Sequence, residues 1–492
     1  MKNKLKADQF DQSKTNRRTF IKGTLAMGAL TMIEGRGFAQ NRGEVTQDGY
    51  YSEPSKNIPV YGSFDVIVVG GGPAGWAAAL ACARNKAKTL VIERFPFFGG
   101  TATASLMLNI NGYRNQVDPD DLQTSKGIAE ELILNLKELK GLGIGTAYAA
   151  KEYPTTKGNL TYSYPIDGEK TKYVMLKLLH DAGVNILFHT MFVDTIMRGN
   201  NVTGVIIENK SGRQAVFGKV IIDASGDADV AFHAGVSYWQ AKPDERQLGN
   251  GLMYRVAMGP ETARKAVGLY TDGGIGGVII NSDQLFWGPS ARFDGTDGEA
   301  LSQGEIRTRL AVYEHFQRSQ RRQAPLLDDA YITETAPLIG IRQTRFIKGL
   351  HSSSNEDALE GRRFDDSIAM SACPIISYYG YRRYLEHTGY EIPYRCFLPA
   401  DDVEGLIVTG RCMSSDQQSY ESWRAMAPVI CLGEAAGVAA AICAETGKTP
   451  KTVDVQAVRN RLVEQGAEIG QNNKHTPNPA FLQSVSPSST PG

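Results

Sequence analysis

The chain has 492 residues, 42% of them hydrophobic, with 53 basic and 53 acidic residues. This length and composition predict a large buried core and two structural domains, and the balanced charge gives no bulk electrostatic reason to expect a nucleic-acid partner. The six cysteines include no C-x-x-C pair, so the sequence predicts neither a metal site nor a thioredoxin-like redox pair. Cysteine spacing alone leaves the disulfide status open.

The N-terminal segment, residues 1–39, combines several lysines, the adjacent pair Arg17 and Arg18, an apolar stretch over 23–33 and small residues up to Ala39. This order resembles a twin-arginine signal peptide with cleavage near Ala39. The resemblance implies export of the folded protein through the twin-arginine machinery, to the periplasm or otherwise out of the cytoplasm. The apolar stretch is too short for a stable bilayer span, and none is expected in the mature chain. A basic tail with a chance arginine pair is the alternative interpretation.

A glycine-rich turn follows an apolar, mostly β-branched run at 65–69, which predicts a buried parallel strand. The turn has the G-x-G-x-x-G spacing and leads into an alanine-rich predicted helix over 76–83. In a dinucleotide site such glycines provide a tight turn, room for a pyrophosphate and close helix-to-strand contact, while the N–H groups at the helix start favour phosphates. The residues of this turn predicted to bind the cofactor are Gly70, Gly72, Pro73, Ala74 and Gly75.

A second predicted strand, 89–92, ends at Glu93, 18 positions after Gly75 (93 − 75). An acidic residue at this position accepts the hydroxyls of an unphosphorylated ribose, so Glu93 is expected to be an exposed acceptor that serves the ligand alone. The next segment, 94–101, resembles the second glycine pair of FAD-dependent oxidoreductases with the glutathione-reductase type of FAD domain. In that family the pair lies along the ribityl and pyrophosphate part of FAD. The resemblance therefore implies FAD as the cofactor and adds Arg94, Gly99, Gly100 and Thr101 to its predicted site.

Two later segments resemble the same family. Residues 219–227 form an apolar predicted strand that ends in an A-[ST]-G motif, which in the family passes beside the dinucleotide. Residues 405–412 are a predicted strand ending in Gly-Arg, and Pro428 precedes an alanine-rich predicted helix over 429–445. In the family this strand and helix hold the isoalloxazine ring, where the helix dipole favours negative charge. The residues that these segments add to the predicted FAD site are Ala224, Ser225, Gly226, Gly410, Arg411 and Gly433.

Between the two parts of the family pattern the composition changes, with short β-like runs and a predicted helix over 305–320. The predicted fold class is α/β, a Rossmann-like FAD-binding domain of the glutathione-reductase type with an inserted α+β substrate domain. The predicted segments are a signal peptide (1–39), a linker (40–62), the FAD-binding domain (63–235), the substrate or cap domain (236–390), the rest of the FAD-binding domain with a C-terminal helix (391–470) and a flexible tail (471–492).

Three arginines are candidates for catalysis. Arg342 and Arg345 would face the same way in a helix but opposite ways in a strand, and Arg424 directly precedes the helix expected to face the flavin. A guanidinium keeps its charge at working pH and can orient an anionic substrate or stabilise a developing oxyanion. Tyr420 and Glu421 are the candidate acid–base residues beside them. Ordinary solvated surface charge remains an alternative for the arginines.

The resemblance covers about residues 64–448. This part of the chain is distantly similar to the flavoprotein subunits of succinate dehydrogenase and fumarate reductase. It is closer to a poorly characterised bacterial branch with a "GIRETRRIVG"-like segment, matched here by residues 340–349. The chain lacks the histidines that this branch places after the Gly-Arg strand and after residue 369, so substrate identity does not carry over. The resemblance implies hydride transfer between flavin and a small polar organic molecule, a carbohydrate or a carboxylate, with an unknown electron acceptor. An FAD-dependent isomerase or other non-redox enzyme, and a protein that keeps FAD only for its structure, remain as alternatives.

Overall fold

The computed structural model describes residues 44–45, 50–53, 55–114, 123–143, 163–243, 247–257, 277–280, 283–322, 324, 327–376, 382–383, 385 and 387–470. Residues Met1–Asn57 form one unit and Ile58–Gly492 form another. In the first unit, an antiparallel pair joins Glu44–Val45 (β1) to Tyr51–Ser52 (β2). The predicted signal peptide (1–39) and C-terminal tail (471–492) lie outside the described residues.

The second unit alternates strands and helices along most of its length. In its described parts the strands are β3 (Val60–Val69), β4 (Thr89–Ile92), β5 (Asn109–Asn111), β6 (Ser163–Pro165), β7 (Asn185–Leu187), β8 (Met191–Arg198), β9 (Asn201–Asn209), β10 (Gly212–Asp223), β11 (Tyr238–Gln240), β12 (Asn250–Gly251), β13 (Tyr254–Ala257), β14 (Gly277–Ile280), β15 (Asp283–Phe286), β16 (Ser290–Ala291), β17 (Tyr331–Thr335), β18 (Arg345–Ile347), β19 (Ser367–Ser371), β20 (Ile375–Ile376), β21 (Arg382–Arg383), β22 (Tyr390–Pro393) and β23 (Leu406–Val408). The helices in the same parts are α1 (Pro73–Arg84), α2 (Ile128–Glu138), α3 (Gly168–Asp181), α4 (Asp229–His233), α5 (Gly298–Arg322), α6 (Asn355–Glu360), α7 (Gln417–Trp423), α8 (Met426–Thr446) and α9 (Val455–Glu464).

The main sheet has the strand order β7-β4-β3-β10-β9-β8, and β23 also pairs with β10. Strand β10 is long enough to pair antiparallel with β9 through its first half and parallel with β23 through its last three residues. Strands β3, β4, β10 and β23 are parallel and in register, with Val69 opposite both Ile92 and Asp223, and Asp223 opposite Val408. Their carboxyl ends therefore lie together at one edge of the sheet, which is where α/β folds bind ligands.

Helix α8 is the core helix of the unit, since all its residues from Met426 to Cys443 are buried. It lies against α1 at two glycines: a Cβ at Gly433 would be 2.1 Å from the carbonyl oxygen of Ala74, and one at Gly437 would be 2.3 Å from that of Ala78. By length and composition α8 could cross a membrane, but its most apolar window is completely buried inside the protein. The two glycines thus allow close backbone contact between α1, early in the second unit, and α8, late in it.

Most predicted elements are present with shifted ends. The predicted helix over 305–320 is α5, which is longer, and the one over 429–445 is α8, which begins before Pro428. The sequence run 184–196 forms two strands, β7 and β8, separated by His189, whose backbone is left-handed (φ 52°). The six cysteines are free and buried.

The inserted region contains a four-stranded antiparallel sheet of order β14-β15-β13-β17 and the long helix α5. Near its end, β18 pairs with β11, while residues 341–344 just before β18 are neither helix nor strand. The sequence offered a helix or a strand for the arginines of this segment. Because the backbone of this segment is irregular, neither helix nor strand periodicity gives the directions in which Arg342 and Arg345 point.

Candidate active site

A cavity of about 800 Å³ lies at the carboxyl edge of the parallel strands. Gly70, Glu93, Ala224 and Gly410, which follow β3, β4, β10 and β23, form one end of it. The opposite end is lined mainly by residues of the inserted region and by the segment that leads into α8. The sheet edge thus supplies one half of a single cavity, and the insertion supplies the other.

The three motif glycines have three different surroundings. Gly70 has a φ of 100°, and a Cβ there would be 2.5 Å from the carbonyl oxygen of Ala224, while a Cβ at Gly75 would be 1.8 Å from the carbonyl oxygen of Gly70. A Cβ at Gly72 would meet no protein atom within 4 Å, because this glycine faces the cavity. Gly70 and Gly75 therefore serve the turn and the packing of α1, and Gly72 leaves room for a ligand next to the start of the helix.

Glu93 is not the exposed acceptor that the sequence predicts, since its exposed fraction is 6%. Its Oε2 accepts a hydrogen bond from the N–H of Gly71 at 2.7 Å, and its Oε1 accepts one from the N–H of Phe95 at 2.9 Å. Burial raises the pKa of the Glu93 carboxyl, and these two hydrogen bonds act against the rise. Glu93 therefore joins the glycine turn to the loop after β4 in addition to lining the cavity.

The second glycine pair packs on the first turn. The N–H of Gly99 donates to the carbonyl of Gly71 at 2.9 Å, and a Cβ at Gly100 would be 3.0 Å from the Cα of Gly72. Arg94, Gly100 and Thr101 line the cavity. Gly99, like Gly75 and Gly433, lies outside the cavity wall, so these three predicted cofactor residues act through packing.

The A-S-G turn after β10 is held by buried Asp223. This carboxylate accepts hydrogen bonds from the N–H and hydroxyl of Ser225 and from the N–H of Ala231. Burial raises the pKa of Asp223 to about 6. Ala224, Ser225 and Gly226 are thereby fixed along the cavity wall.

Arg411 lines the cavity, but its charge is already paired. Its guanidinium donates to Asp227 at 2.6 Å and to the carbonyl of Ile341 at 2.9 Å. Thr344 donates to the same oxygen of Asp227 at 2.8 Å. Arg411 thus ties the end of β23 to the irregular segment that carries Arg342.

Three of the five predicted catalytic residues, Arg342, Tyr420 and Arg424, line the cavity, and two do not. Arg345 forms a salt bridge with Asp229 at 3.0 Å and lies over the ring of Phe232, so its surroundings are those of a structural arginine. Glu421 is buried outside the cavity wall, where it accepts a hydrogen bond from Gln417. The candidate catalytic set is therefore reduced to Arg342, Tyr420 and Arg424.

Within the described parts of the chain, no carboxylate lies within ion-pair distance of Arg342 or Arg424, and the Nε of Arg424 is buried without a hydrogen-bond partner. Burial, followed by the nearby charge of Arg424, lowers the pKa of Arg342 to about 10, so this guanidinium remains cationic at neutral pH. Arg424 also lies over the ring of Tyr420, 5.8 Å from its centroid. The Tyr420 hydroxyl donates to the backbone carbonyl of Arg342. Two cations without anions in a partly buried wall favour an anionic ligand there.

Several further wall residues were predicted by no sequence motif. They contribute apolar surface, hydroxyls and one further arginine to the cavity wall. These residues are Ser105, Met107, Met253, Trp287, Ser290, Arg292 and Leu338. Near Glu93 the additional wall residues are Thr190, Met191 and Phe192.

Comparison with known proteins identifies the family. The family described as FAD dependent oxidoreductase matches residues 65–275 and 276–462, so the chain belongs to that family. The cavity fits FAD, because Gly72 is open toward it and the turns after β3, β4 and β10 line one continuous wall. The protein is therefore an α/β flavoenzyme that uses FAD, with a Rossmann-like cofactor fold.

Individual relatives match over parts of the chain. A tRNA uridine 5-carboxymethylaminomethyl modification enzyme from Alkaliphilus metalliredigens is 31% identical over 157 residues, covering 30% of this chain and 21% of that protein. A thiamine thiazole synthase from Methanococcus vannielii is 30% identical over 178 residues, covering 34% of this chain and 58% of that protein. Less than two thirds of the length of either relative is matched. A geranylgeranyl bacteriochlorophyll reductase-like structure from Thermoplasma acidophilum has 16% identity and a TM-score of 0.44 over 82% of this chain and 84% of that one.

Proposed function

We propose that this protein is an exported FAD-dependent oxidoreductase that transfers a hydride between flavin and a small organic substrate carrying a carboxylate. The observation that carries the substrate class is the pair Arg342 and Arg424, which line the cavity without an acidic partner among the described residues. Of the carbohydrate and carboxylate classes considered from the sequence, this pair favours the carboxylate, because a planar guanidinium binds a carboxylate through two parallel hydrogen bonds.

The acidic residues in the cavity wall support the same substrate class. Glu93, Asp227 and Asp229 each already accept hydrogen bonds from the protein, and Asp227 and Asp229 neutralise Arg411 and Arg345. Helix α8 begins at the cavity with Met426, has no acidic residue in its first turn and adds the positive end of its dipole. The electrostatic field at the substrate end is therefore positive.

Bound FAD supplies the two-electron redox chemistry, and the chain supplies binding, orientation and electrostatics. The cofactor would lie along Gly72, Glu93, Gly100 and the A-S-G turn, which line the sheet end of the cavity. Arg342 and Arg424 would hold the substrate carboxylate and so fix which carbon of the substrate faces the redox centre.

Tyr420 is assigned a proton-donating role. Burial raises the pKa of its hydroxyl even though Arg424, Arg411 and Arg342 oppose the rise, so the phenol is neutral at pH 7. A neutral phenol donates a hydrogen bond or a proton at Oη to a substrate oxygen that gains negative charge. Its present acceptor, the carbonyl of Arg342, keeps the hydroxyl next to the arginine pair.

The test uses the purified holoenzyme under anaerobic conditions. A panel of 2-hydroxy, 2-amino and saturated carboxylates, each able to donate a hydride, is compared with the matching amides and alcohols, and flavin bleaching is followed by absorbance. The proposal expects bleaching by carboxylates alone. Equal bleaching by neutral analogues would remove the carboxylate assignment. Turnover without bleaching would support a non-redox flavoenzyme, and neither signal with any substrate would support structural FAD.

Export rests on the N-terminal pattern, in which Arg17 and Arg18 precede a short apolar stretch. The twin-arginine machinery transports folded proteins, and a chain that binds FAD has to fold around it before export. In a host with this pathway, the paired substitution Arg17→Lys and Arg18→Lys is expected to hold the yellow protein in the cytoplasm. Unchanged appearance in the periplasm would contradict the proposal.

A further inference from the structure

The outward face of α5 is apolar at its centre. Helix α5 has 25 residues and buries Gly304, Thr308, Val312 and Phe316 against the protein. On the opposite face, Ile306, Leu310 and Tyr313 have exposed fractions of 52%, 79% and 70%. Three large apolar side chains in adjacent turns of one helix form a continuous patch rather than scattered exposure.

The patch is the middle of a longer pattern. Exposed residues recur at spacings of four and three along this face, which is the spacing of a helix-pairing seam. We call these residues the α5 seam: Glu299, Gln303, Ile306, Leu310, Tyr313, Gln317 and Arg321. No seam residue forms a salt bridge with any described residue, so the face has no partner within the described part of the chain.

The polar ends of the seam are complementary about Leu310. Gln303 and Gln317 are each seven positions from it (310 − 303 and 317 − 310), and Glu299 and Arg321 are each eleven positions from it (310 − 299 and 321 − 310). In an antiparallel pair with Leu310 on the twofold axis, Glu299 of each copy faces Arg321 of the other, and the two glutamines face each other. A parallel pair would instead bring equal charges together, which is unfavourable.

We propose that the α5 seam joins two copies of this protein in an antiparallel, twofold-symmetric dimer. A seam that is complementary to itself fits an isologous contact, in which the same surface is used by both copies. Tyr331, with an exposed fraction of 64%, is a further exposed aromatic residue near the C-terminal end of α5, where Gln320 donates to the carbonyl of Ala330. Because the apolar centre comprises few side chains, the dimer is expected to form reversibly and to depend on concentration.

The first test is sedimentation velocity on the full FAD-loaded protein over a wide concentration range. The parent is expected to shift from monomer to dimer, and Leu310→Asp is expected to remain monomeric with unchanged flavin content and circular dichroism. Leu350→Asp is the matched control, because Leu350 is 50% exposed outside the seam, and it should dimerise as the parent does. A parent that stays monomeric at every concentration, or a Leu310→Asp variant that dimerises normally, would overturn the proposal.

The second test exchanges charge. Glu299→Arg alone and Arg321→Glu alone each place equal charges opposite one another and should weaken dimerisation by about fivefold. Mixing the two variants should restore it, because each end of the mixed dimer again has opposite charges, and this rescue excludes misfolding as the cause. Lack of rescue would overturn the antiparallel arrangement. Binding of the monomeric parent to anionic lipid vesicles, lost in Leu310→Asp, would assign the seam to a membrane surface and overturn the dimer.

Discussion

The two ends of the cavity handle charge in opposite ways. At the sheet end Arg411 is paired with Asp227, Asp229 is paired with Arg345, and Glu93 accepts hydrogen bonds from two backbone N–H groups. At the insertion end, Arg342 and Arg424 have no acidic partner among the described residues. In the proposed arrangement the pyrophosphate would be accommodated by backbone and open space, whereas the proposed substrate end keeps two arginines without an acidic partner among the described residues. The proposed cofactor end is therefore held together by contacts within the protein, whereas the proposed substrate end retains positive charge for a ligand.

The largest expected effect comes from filling the space at Gly72. Gly72→Val should eliminate FAD binding while leaving the apo fold intact, because a Cβ there meets no protein atom within 4 Å. Gly75→Val is the contrasting variant, since its Cβ would lie 1.8 Å from the carbonyl oxygen of Gly70 and must displace the backbone. The measurements are the flavin-to-protein ratio and thermal unfolding of the apo protein. A yellow Gly72→Val protein with full flavin content would contradict the assignment of the cofactor site.

The next largest expected effect distinguishes Arg342 from Arg345. Arg342→Met should keep FAD and the fold but lose about 2–4 kcal/mol of transition-state stabilisation, the range for removing one preorganised donor. Arg345 itself lies outside the cavity wall, so Arg345→Met, which breaks the salt bridge with Asp229, should lower stability and leave the chemical step nearly unchanged. Anaerobic single-turnover flavin reduction by the proposed carboxylate substrate measures the chemical step in both variants, and thermal unfolding measures their stability. A rate for Arg342→Met within about threefold of the parent, under 1 kcal/mol, would remove Arg342 from the site.

Glu93 is expected to affect both the ligand and the fold. Glu93→Ala leaves the buried N–H group of Gly71 and the partly buried N–H group of Phe95 without their acceptor, which should cost about 1–3 kcal/mol in the free energy of unfolding of the apo protein. FAD affinity should also fall, because the carboxylate lines the cavity. Denaturant unfolding of FAD-free protein separates the two effects. Unchanged apo stability would show that Glu93 serves the ligand alone.

The same contrast explains what the sequence could and could not predict. The sheet end is formed by contiguous motifs, so Gly70 and Gly72 could be located from spacing and the A-S-G turn from its resemblance to the family motif. The insertion end collects single residues such as Met253, Trp287 and Leu338, which no local pattern connects. Only the tertiary fold brings them together.

The sequence did not show which of two nearby side chains reaches the cavity. Arg342 and Arg345 have different surroundings because residues 341–344 have no regular period, so helix or strand geometry could not decide between them. Tyr420 and Glu421 are adjacent on α7 and point about 100° apart, so one lines the cavity and the other contacts Gln417. Sequence adjacency therefore identified the right segments but not which side chain of each reaches the cavity.

The smallest expected effect concerns the pH dependence of stability, and it comes from a buried acidic residue that does not line the cavity. Glu434, in the core helix α8, is 2% exposed and accepts a hydrogen bond from the N–H of Ile128 at 2.9 Å. Burial raises the pKa of Glu434 from 4.5 to about 7, so this acid can take up a proton, whereas Arg342 remains charged. The folded state then holds this proton more tightly than the unfolded state does. Glu434 therefore lowers the free energy of unfolding as the pH rises from about 4.5 to about 7.

Glu434→Gln keeps an oxygen that can accept from Ile128 and removes the titration, so it should flatten this part of the stability profile. Above pH 7 the variant should be more stable than the parent by about 1–2 kcal/mol, since the parent must bury a carboxylate there. Glu445→Gln, at an exposed position of the same helix, should leave the profile unchanged. The measurement is denaturant unfolding of all three proteins from pH 5 to pH 8. Parallel profiles for the parent and Glu434→Gln would contradict the prediction, because they would show that burial does not destabilise the charged form of Glu434.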